Sequence, residues 1–368
     1  MKYYIISGER SGDLHGSNLI KSLKAEDPDA HVRCWGGDEM EKAGGDLVVH
    51  YREIAFMGFW EVLTNLFTIS NFLKLAKKDI VEYNPDVVIL IDYAGFNMKI
   101  AKFAKYAGFK TFYYISPKIW AWNQSRALNI KKYVDRMFVI LPFEEQFYQK
   151  FDYKVDYVGN PILDAINAFE PNPEFRSQEG LNDRPIIAIL PGSRKQEVEN
   201  MLGVMLALVS EFPEYNFAVA GVDNMPPELY NGIADHRNVK LIIGKTYDLL
   251  SHAHAAVVTS GTATLETALF NVPQVVCYKT STISYSIAKS LIKVDYISLV
   301  NLIAGKKVVE ELIQAEMNPT AVRTALSKVV SPSPERHKML EDYKVLREIM
   351  GNEKASQNAA RLMVKYLQ

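Results

Sequence analysis

Asp92 ends the apolar run Val87-Val88-Ile89-Leu90-Ile91 and is followed by Tyr93-Ala94-Gly95-Phe96-Asn97. A carboxylate at the end of a buried strand is partly stripped of water, which raises its pKa and makes it a better proton acceptor. An aspartate capping the next helix fits the same position equally well. A second chemistry, anion binding, is suggested by Ile186-Ile187-Ala188-Ile189-Leu190 running into Pro191-Gly192-Ser193-Arg194 ahead of a helical pattern. Free N–H groups at a helix start, a glycine allowing close approach (Gly192), a hydroxyl (Ser193) and the planar fork of Arg194 suit phosphate oxygens. An ordinary turn with a surface arginine is the plainer alternative.

Ala255-Ala256-Val257-Val258-Thr259 leads in the same way into Ser260-Gly261-Thr262-Ala263-Thr264-Leu265-Glu266. Its hydroxyls and N–H groups suit a second phosphate, and Glu266, one helical turn inside, suits ribose hydroxyls. A capping box built on Thr262 competes, although a spacing of four rather than three argues against it. A third loop, Ser7-Gly8-Glu9-Arg10-Ser11-Gly12-Asp13, matches neither GxGxxG nor GxxxxGK[ST]. Gly8 and Gly12 permit a concavity for a ligand near Glu9 and Ser11, and a tight strand-to-helix turn would need them just as much.

Metal chemistry finds little support. His252 and His254 alternate ahead of a strand without a third ligand, and Asp27-Pro28-Asp29 reads as a turn. His15 reads as a helix histidine. Cys34 and Cys277 stand far apart, with no CxxC and no Cys/His cluster, which fits a reducing cytoplasm. No metal and no cofactor is expected.

The elements that must position these residues alternate between short apolar runs and longer helical patterns, the mark of parallel sheets with crossover helices. Strands are expected at residues 3–7, 32–35, 87–91, 111–115 and 137–141, then at 186–190, 217–220, 240–243, 256–259 and 274–278. The fold class is therefore α/β, with two Rossmann-like, doubly wound domains whose strand ends face one crevice, where such sheets bind ligands. Expected boundaries are residues 1–165 for the first domain, 166–185 for a proline-rich linker, 186–345 for the second domain and 346–368 for a helical tail.

A length of 368 residues suits two such cores, and 48% apolar content excludes a disordered chain. The formal net charge of −1 offers no overall attraction to nucleic acid or an anionic membrane. Locally the balance differs: between Asp92 and Asp135 there are eight Lys or Arg, no acid, and eleven aromatics including Trp120 and Trp122. Lysines with interfacial aromatics suit an anionic lipid surface or an anionic substrate. Upstream, residues 62–73 carry no charge and place apolar side chains over more than one helix face. Such a helix is either clamped in the core or turned toward lipid, with Phe59, Trp60, Leu66 and Phe67 as contacts. No run approaches 18 apolar residues, so no spanning helix is expected. Nucleic acid is discounted because no RRM, KH or helix-turn-helix pattern accompanies the basic stretch.

Taken in order, these segments resemble the lipid-A-disaccharide synthase family of GT-B glycosyltransferases over nearly the whole chain. The segments are Ser7-Gly8-Glu9 with Ser11-Gly12-Asp13, Met57-Gly58-Phe59 with Glu61-Val62, Ile91-Asp92 with Phe96-Asn97, and Ser116-Pro117 with Trp120-Ala121-Trp122. Leu141-Pro142-Phe143-Glu144, Val158-Gly159-Asn160-Pro161, Leu190-Pro191-Gly192-Ser193-Arg194, Ser260 to Glu266, and Asn301-Leu302-Ile303-Ala304-Gly305 complete the series. The resemblance implies transfer from UDP-2,3-diacylglucosamine to 2,3-diacylglucosamine 1-phosphate, giving a β-1,6 disaccharide and UDP, with inversion and without metal. It further implies Asp92 as base for the 6-hydroxyl, Arg194 on the leaving diphosphate, Glu266 on ribose and Asn301 in the crevice. It places the enzyme at the cytoplasmic face of a Gram-negative inner membrane, bound peripherally. One departure stands out: the family pattern commonly reads Asp-x-Pro-Asp-Phe-Asn, and Gly95 here replaces the second aspartate. Two alternatives are a UDP-N-acetylglucosamine 2-epimerase of similar fold, acting on its nucleotide sugar alone, and a nucleotide-binding module without catalysis.

Overall fold

Apolar runs of five or six residues become strands covered on both faces, and the chain gathers them into two parallel sheets. The computed structural model describes residues 1–54, 66–223, 225–281, 285–286, 289, 292 and 294–368. One compact unit comprises Met1–Pro161 with Asn352–Gln368, and the other comprises Ile162–Gly351.

The first unit holds β1 (Lys2–Ser7), β2 (His31–Gly36), β3 (Asp46–His50), β4 (Val87–Ile91), β5 (Lys110–Tyr114), β6 (Arg136–Val139) and β7 (Asp156–Tyr157), in the order β3-β2-β1-β4-β5-β6-β7. The order reverses direction between β1 and β4, which pair with Ile6 opposite Leu90 and Ser7 opposite Ile91. Connections from these two strands leave in opposite directions, which opens a crevice at their carboxyl ends. The loop after Ser7 and the loop after Ile91 therefore meet there.

The second unit holds β8 (Ile186–Leu190), β9 (Asn216–Gly221), β10 (Val239–Ile243), β11 (Ala253–Thr259), β12 (Gln274–Tyr278) and β13 (Glu310–Ile313), in the order β10-β9-β8-β11-β12-β13. Its reversal lies between β8 and β11, with Leu190 opposite Val258. The same rule brings the loop that starts at Pro191 beside the one that starts at Ser260.

All ten expected strands form. The three additional strands, β3, β7 and β13, are sheet edges, short or charged, as edges that resist pairing with other chains tend to be. Ile115, expected inside a strand, instead lies just past its end with φ +65, its N–H still donating to the Phe138 carbonyl at 3.0 Å.

The expected boundaries need correction. Residues 166–185 are no independent linker: Phe175 of the helix Phe175–Gln178 is fully buried in the second core with Ile186, Ala188 and Leu249. The tail is divided between the units. Pro334–Met350 stays with the second, whereas Ala355–Leu367 returns to the first, where Ala359, Ala360 and Met363 pack with Leu19, Ile20 and Leu23 of the helix Arg10–Glu26. The turn between these two helices is made at Gly351, with φ +70.

Candidate active site

In the first unit, Asp92 sits one residue past β4 in a left-handed conformation, φ +44, and Tyr93 follows at φ +47. Non-glycine residues rarely adopt this region, and a surrounding framework must hold them there. Here the backbone N–H of Asp92 donates to the Tyr114 carbonyl at 3.3 Å. The Tyr113 hydroxyl and, at 2.8 Å, the Asn97 amide donate to the Asp92 carbonyl. Buried Asn97 also donates to the Ile91 carbonyl at 3.1 Å. The backbone is thus pinned while, among the described residues, the carboxylate accepts no hydrogen bond from another side chain. Burial, followed by repulsion from Glu9 and offset by attraction to Lys118, pushes its pKa up to about 6. A carboxylate so placed is ionised near neutral pH yet a stronger base than in water. It does not cap the helix Ala94–Tyr106, whose N-cap is Tyr93.

The Ser7 to Asp13 segment is shorter as a loop than expected, because the helix Arg10–Glu26 already includes Ser11 and Gly12. A Cβ on Gly8 would come 2.3 Å from the Tyr93 ring, and one on Gly12 would come 2.4 Å from the Ser7 Oγ. Packing alone therefore accounts for both glycines. Asp13 is buried and accepts from the backbone N–H groups of Gly37 at 2.7 Å and Met40 at 3.1 Å, holding the start of the helix Asp38–Lys42. Ser11 and Glu9 are exposed, and only Glu9 acts on Asp92.

In the second unit the helix Lys195–Leu206 starts immediately after Arg194. The two N–H groups just ahead of it are not free. Glu197 folds back so that Oε2 accepts from the N–H of Ser193 at 2.9 Å and of Arg194 at 3.2 Å. Its Oε1 accepts from the Arg194 guanidinium at 3.0 Å. Gly192, at φ +115, makes room for it: a Cβ there would lie 2.5 Å from Glu197 Oε2. An anion does occupy this turn, and it is the protein's own.

Ser260 and Thr264 are likewise committed. The Ser260 hydroxyl donates to the Ile297 carbonyl at 2.9 Å, and the buried Thr264 hydroxyl donates to the Gly261 carbonyl at 2.8 Å. Gly261 is the N-cap of the helix Thr262–Leu269, so the capping box weighed for Thr262 does not form, and Thr262 stays exposed in the first turn. Half-buried Glu266 accepts from the Tyr247 hydroxyl at 3.1 Å, and burial raises its pKa. Tyr247 is itself wedged between Phe169 and Phe270.

Asn301 has a different task from the one expected. It is fully buried, its amide donates to the Val309 carbonyl at 3.0 Å and Glu311 Oε1 at 2.8 Å, and its Oδ1 accepts from the N–H groups of Val308 and Val309. Every bonding position of the side chain is used, which leaves none for a ligand.

The aromatic and basic stretch also divides. Phe112, Tyr113 and Tyr114 are core residues, and Trp120 is buried edge-on against Phe143 at 5.0 Å, so it is no membrane contact. Trp122 is exposed with the Arg126 guanidinium 4.5 Å above its ring, and Tyr106 and Leu128 are exposed on helices that also carry Lys99, Lys102, Lys131 and Lys132. Phe59 and Trp60 lie outside the described residues, as do the side chains of Leu66 and Phe67. No described helix is long and apolar enough to cross a membrane. The two histidines weighed as ligands bond to backbone carbonyls instead: His252 Nδ1 lies 2.9 Å from the Asp248 carbonyl and His254 Nε2 lies 2.6 Å from that of Val330.

Comparison with known proteins identifies the family. The family described as lipid-A-disaccharide synthetase matches residues 3–365. The lipid-A-disaccharide synthase of Syntrophus aciditrophicus is 41% identical over 364 residues, covering 97% of this chain and 95% of that protein. Among solved structures, UDP-GlcNAc 2-epimerase from Neisseria meningitidis bound to UDP-GlcNAc superposes with TM-score 0.67 at 15% identity, covering 100% of this chain and 99% of that one. CalG4, the calicheamicin glycosyltransferase, superposes with TM-score 0.62 at 15% identity, covering 100% and 98%. At such identities the superpositions establish the two-domain GT-B type of fold and nothing about substrate. With the family matched from end to end, the chain belongs to the lipid-A-disaccharide synthases, glycosyltransferases of lipid A biosynthesis.

Proposed function

We propose that this enzyme transfers the sugar of UDP-2,3-diacylglucosamine to the 6-hydroxyl of 2,3-diacylglucosamine 1-phosphate, with Asp92 as the base. The observation that carries the reading is the placement of Asp92: a pinned backbone, a carboxylate without a side-chain donor among the described residues, and a pKa raised to about 6. In the step envisaged, the acceptor oxygen forms a bond to the anomeric carbon as the bond to the diphosphate oxygen breaks on the opposite face, and the hydroxyl proton passes to Asp92. The electron pair leaves with UDP. Arg194 and the N-termini of the helices Lys195–Leu206 and Thr262–Leu269 are the groups we assign to that growing charge. Glu266, oriented by Tyr247, is assigned to the ribose.

We further place the enzyme on the anionic cytoplasmic surface of the inner membrane, through the lysine-bearing helices that expose Tyr106, Trp122 and Leu128. The test is formation of disaccharide phosphate and UDP from both acylated substrates in the presence of a chelator. The acid limb of kcat/KM should fall near pH 6, and turnover should drop at least about a hundredfold in Asp92→Asn. Epimerisation of UDP-N-acetylglucosamine without the acylated acceptor would count for the alternative. For the membrane arm, binding to acidic vesicles should weaken as salt rises.

A further inference from the structure

Glu311 has no part in the chemistry above, yet hydrogen bonds tie it without a break to the turn at Ser260. It lies on the edge strand β13, opposite Val276 of β12. Its Oε2 accepts from the Ile297 N–H at 3.0 Å, and its Oε1 accepts from the Ser298 N–H at 2.9 Å and the Asn301 amide at 2.8 Å. Both carboxylate oxygens are used. Two of the three donors are backbone groups just ahead of the helix Leu299–Ala304, which fully buried Ser298 caps by accepting from the Asn301 N–H at 3.2 Å. Asn301 in turn accepts from the N–H groups of Val308 at 2.7 Å and Val309 at 2.9 Å, which closes the loop onto the strand that carries Glu311.

What this knot fixes is the peptide between Ile297 and Ser298. A trans peptide is planar, and its N–H and C=O point in opposite directions. Glu311 takes the N–H of this peptide at 2.9 Å, and its C=O takes the Ser260 hydroxyl at 2.9 Å. One rigid group therefore bridges the carboxylate and the serine. Ser260 is the first residue past β11, and its own N–H donates to the Cys277 carbonyl of β12 at 3.0 Å. The next residue, Gly261, is the N-cap of the helix Thr262–Leu269, which carries Glu266. A shift of the bridging peptide would pass to that turn through the hydroxyl.

We propose that Glu311 is a positioning residue of the donor site: through the Ile297–Ser298 peptide it sets the Ser260 hydroxyl, and with it the turn from which the helix Thr262–Leu269 starts. It acts through one peptide and one hydroxyl rather than on the donor itself. The inference rests on the assignment of this turn and Glu266 to UDP.

The test uses the full chain, calorimetric titration with UDP, and KM for each acylated substrate in wild type, Glu311→Gln, Ser260→Ala, the double variant and Glu266→Ala. Glu311→Gln puts an amide NH2 where one carboxylate oxygen accepted, so a backbone N–H loses its partner. UDP should bind about tenfold more weakly, the scale of one hydrogen bond to a charged group. Donor KM should rise by the same factor while acceptor KM stays within about twofold. Ser260→Ala should give the same split, and the double variant should bind no worse than the weaker single one, because both changes cut one path. Glu311→Gln with a lowered Tm but unmoved UDP affinity and donor KM overturns the proposal, as do losses that multiply in the double variant. If Glu311→Gln does not fold, Ser260→Ala, which removes only a half-buried hydroxyl, carries the test, and unchanged UDP affinity there overturns the proposal. Wild-type UDP affinity in Glu266→Ala instead overturns the assignment of this turn to UDP.

Discussion

Glu197 closes on Arg194 twice, with one carboxylate oxygen on its guanidinium at 3.0 Å and the other on its backbone N–H at 3.2 Å. The turn that would receive a diphosphate is therefore already neutralised by a carboxylate, which also takes the N–H of Ser193. Arg194 is otherwise highly exposed, so Glu197 is the group that orders it. A phosphate entering this turn must displace that carboxylate or share its donors.

Glu197→Gln should accordingly tighten UDP binding. Removing a competing anion from a helix N-terminus is worth on the order of 1 kcal/mol, or about fivefold in Kd. Titration calorimetry with UDP measures it, and weaker binding in the variant would mean that Glu197 serves the site by holding Arg194 rather than by competing for its turn.

Asn301 leads to the opposite expectation. Asn301→Ala removes the acceptor of the Val308 and Val309 N–H groups and a donor to Glu311, in a buried or partly buried setting. The loss should cost about 3 kcal/mol or more in stability, since orphaned buried groups carry their full desolvation penalty. UDP affinity of the folded variant should change by less than about threefold, because only an indirect effect remains. Wild-type stability with UDP binding abolished would return Asn301 to the ligand site.

The strands were legible because buried parallel strands are written as unbroken apolar runs, and the loops singled out by their residues follow β1, β4, β8 and β11, the strands at which the order reverses. What escaped reading depends on contacts distant in sequence or on which way one side chain turns. The edge strand β13 opens with Glu310 and Glu311 and reads as a loop until Glu311 is seen binding the N–H groups of Ile297 and Ser298. Ser11 and Gly12 favour loops by composition, yet tight packing of Gly12 on Ser7 draws them into a helix. Trp120 and Trp122 are indistinguishable by type, and only the position of Phe143 shows that one is core. Glu197 is a first-turn glutamate by position, and its spacing of three from Arg194 fits the reach of a capping side chain.

Gly95 stands where the family resemblance leads one to expect a second aspartate, and it is exposed, with nothing within 4 Å of a Cβ built there. It lies in the first turn of the helix Ala94–Tyr106. Gly95→Asp should therefore fit without strain and stabilise the protein by about 1 kcal/mol, through helix propensity and the favourable end of the helix dipole. The added charge should also raise the pKa of Asp92 further, so that the acid limb of kcat/KM moves upward. A lower Tm or a limb displaced downward would contradict this account of the loop.

Glu144, buried with its Oε2 accepting from the Leu141 N–H at 3.0 Å, gives a stability signature that is independent of any assay. Its pKa in the folded protein is raised from 4.5 to about 7, so between these values the folded state binds the extra proton. Stability from this group is then greatest below about pH 4.5 and is lost as pH rises toward 7, a difference on the order of 3 kcal/mol at most. Asp92 and Glu266 slope the same way, so wild type alone cannot single out Glu144. Glu144→Gln has no proton to lose and keeps an acceptor for the Leu141 N–H. Its Tm relative to wild type should therefore climb steadily from pH 4.5 to 7.5 and level off above that. A flat difference across this range would mean that the buried carboxyl does not titrate there and keeps one charge state throughout.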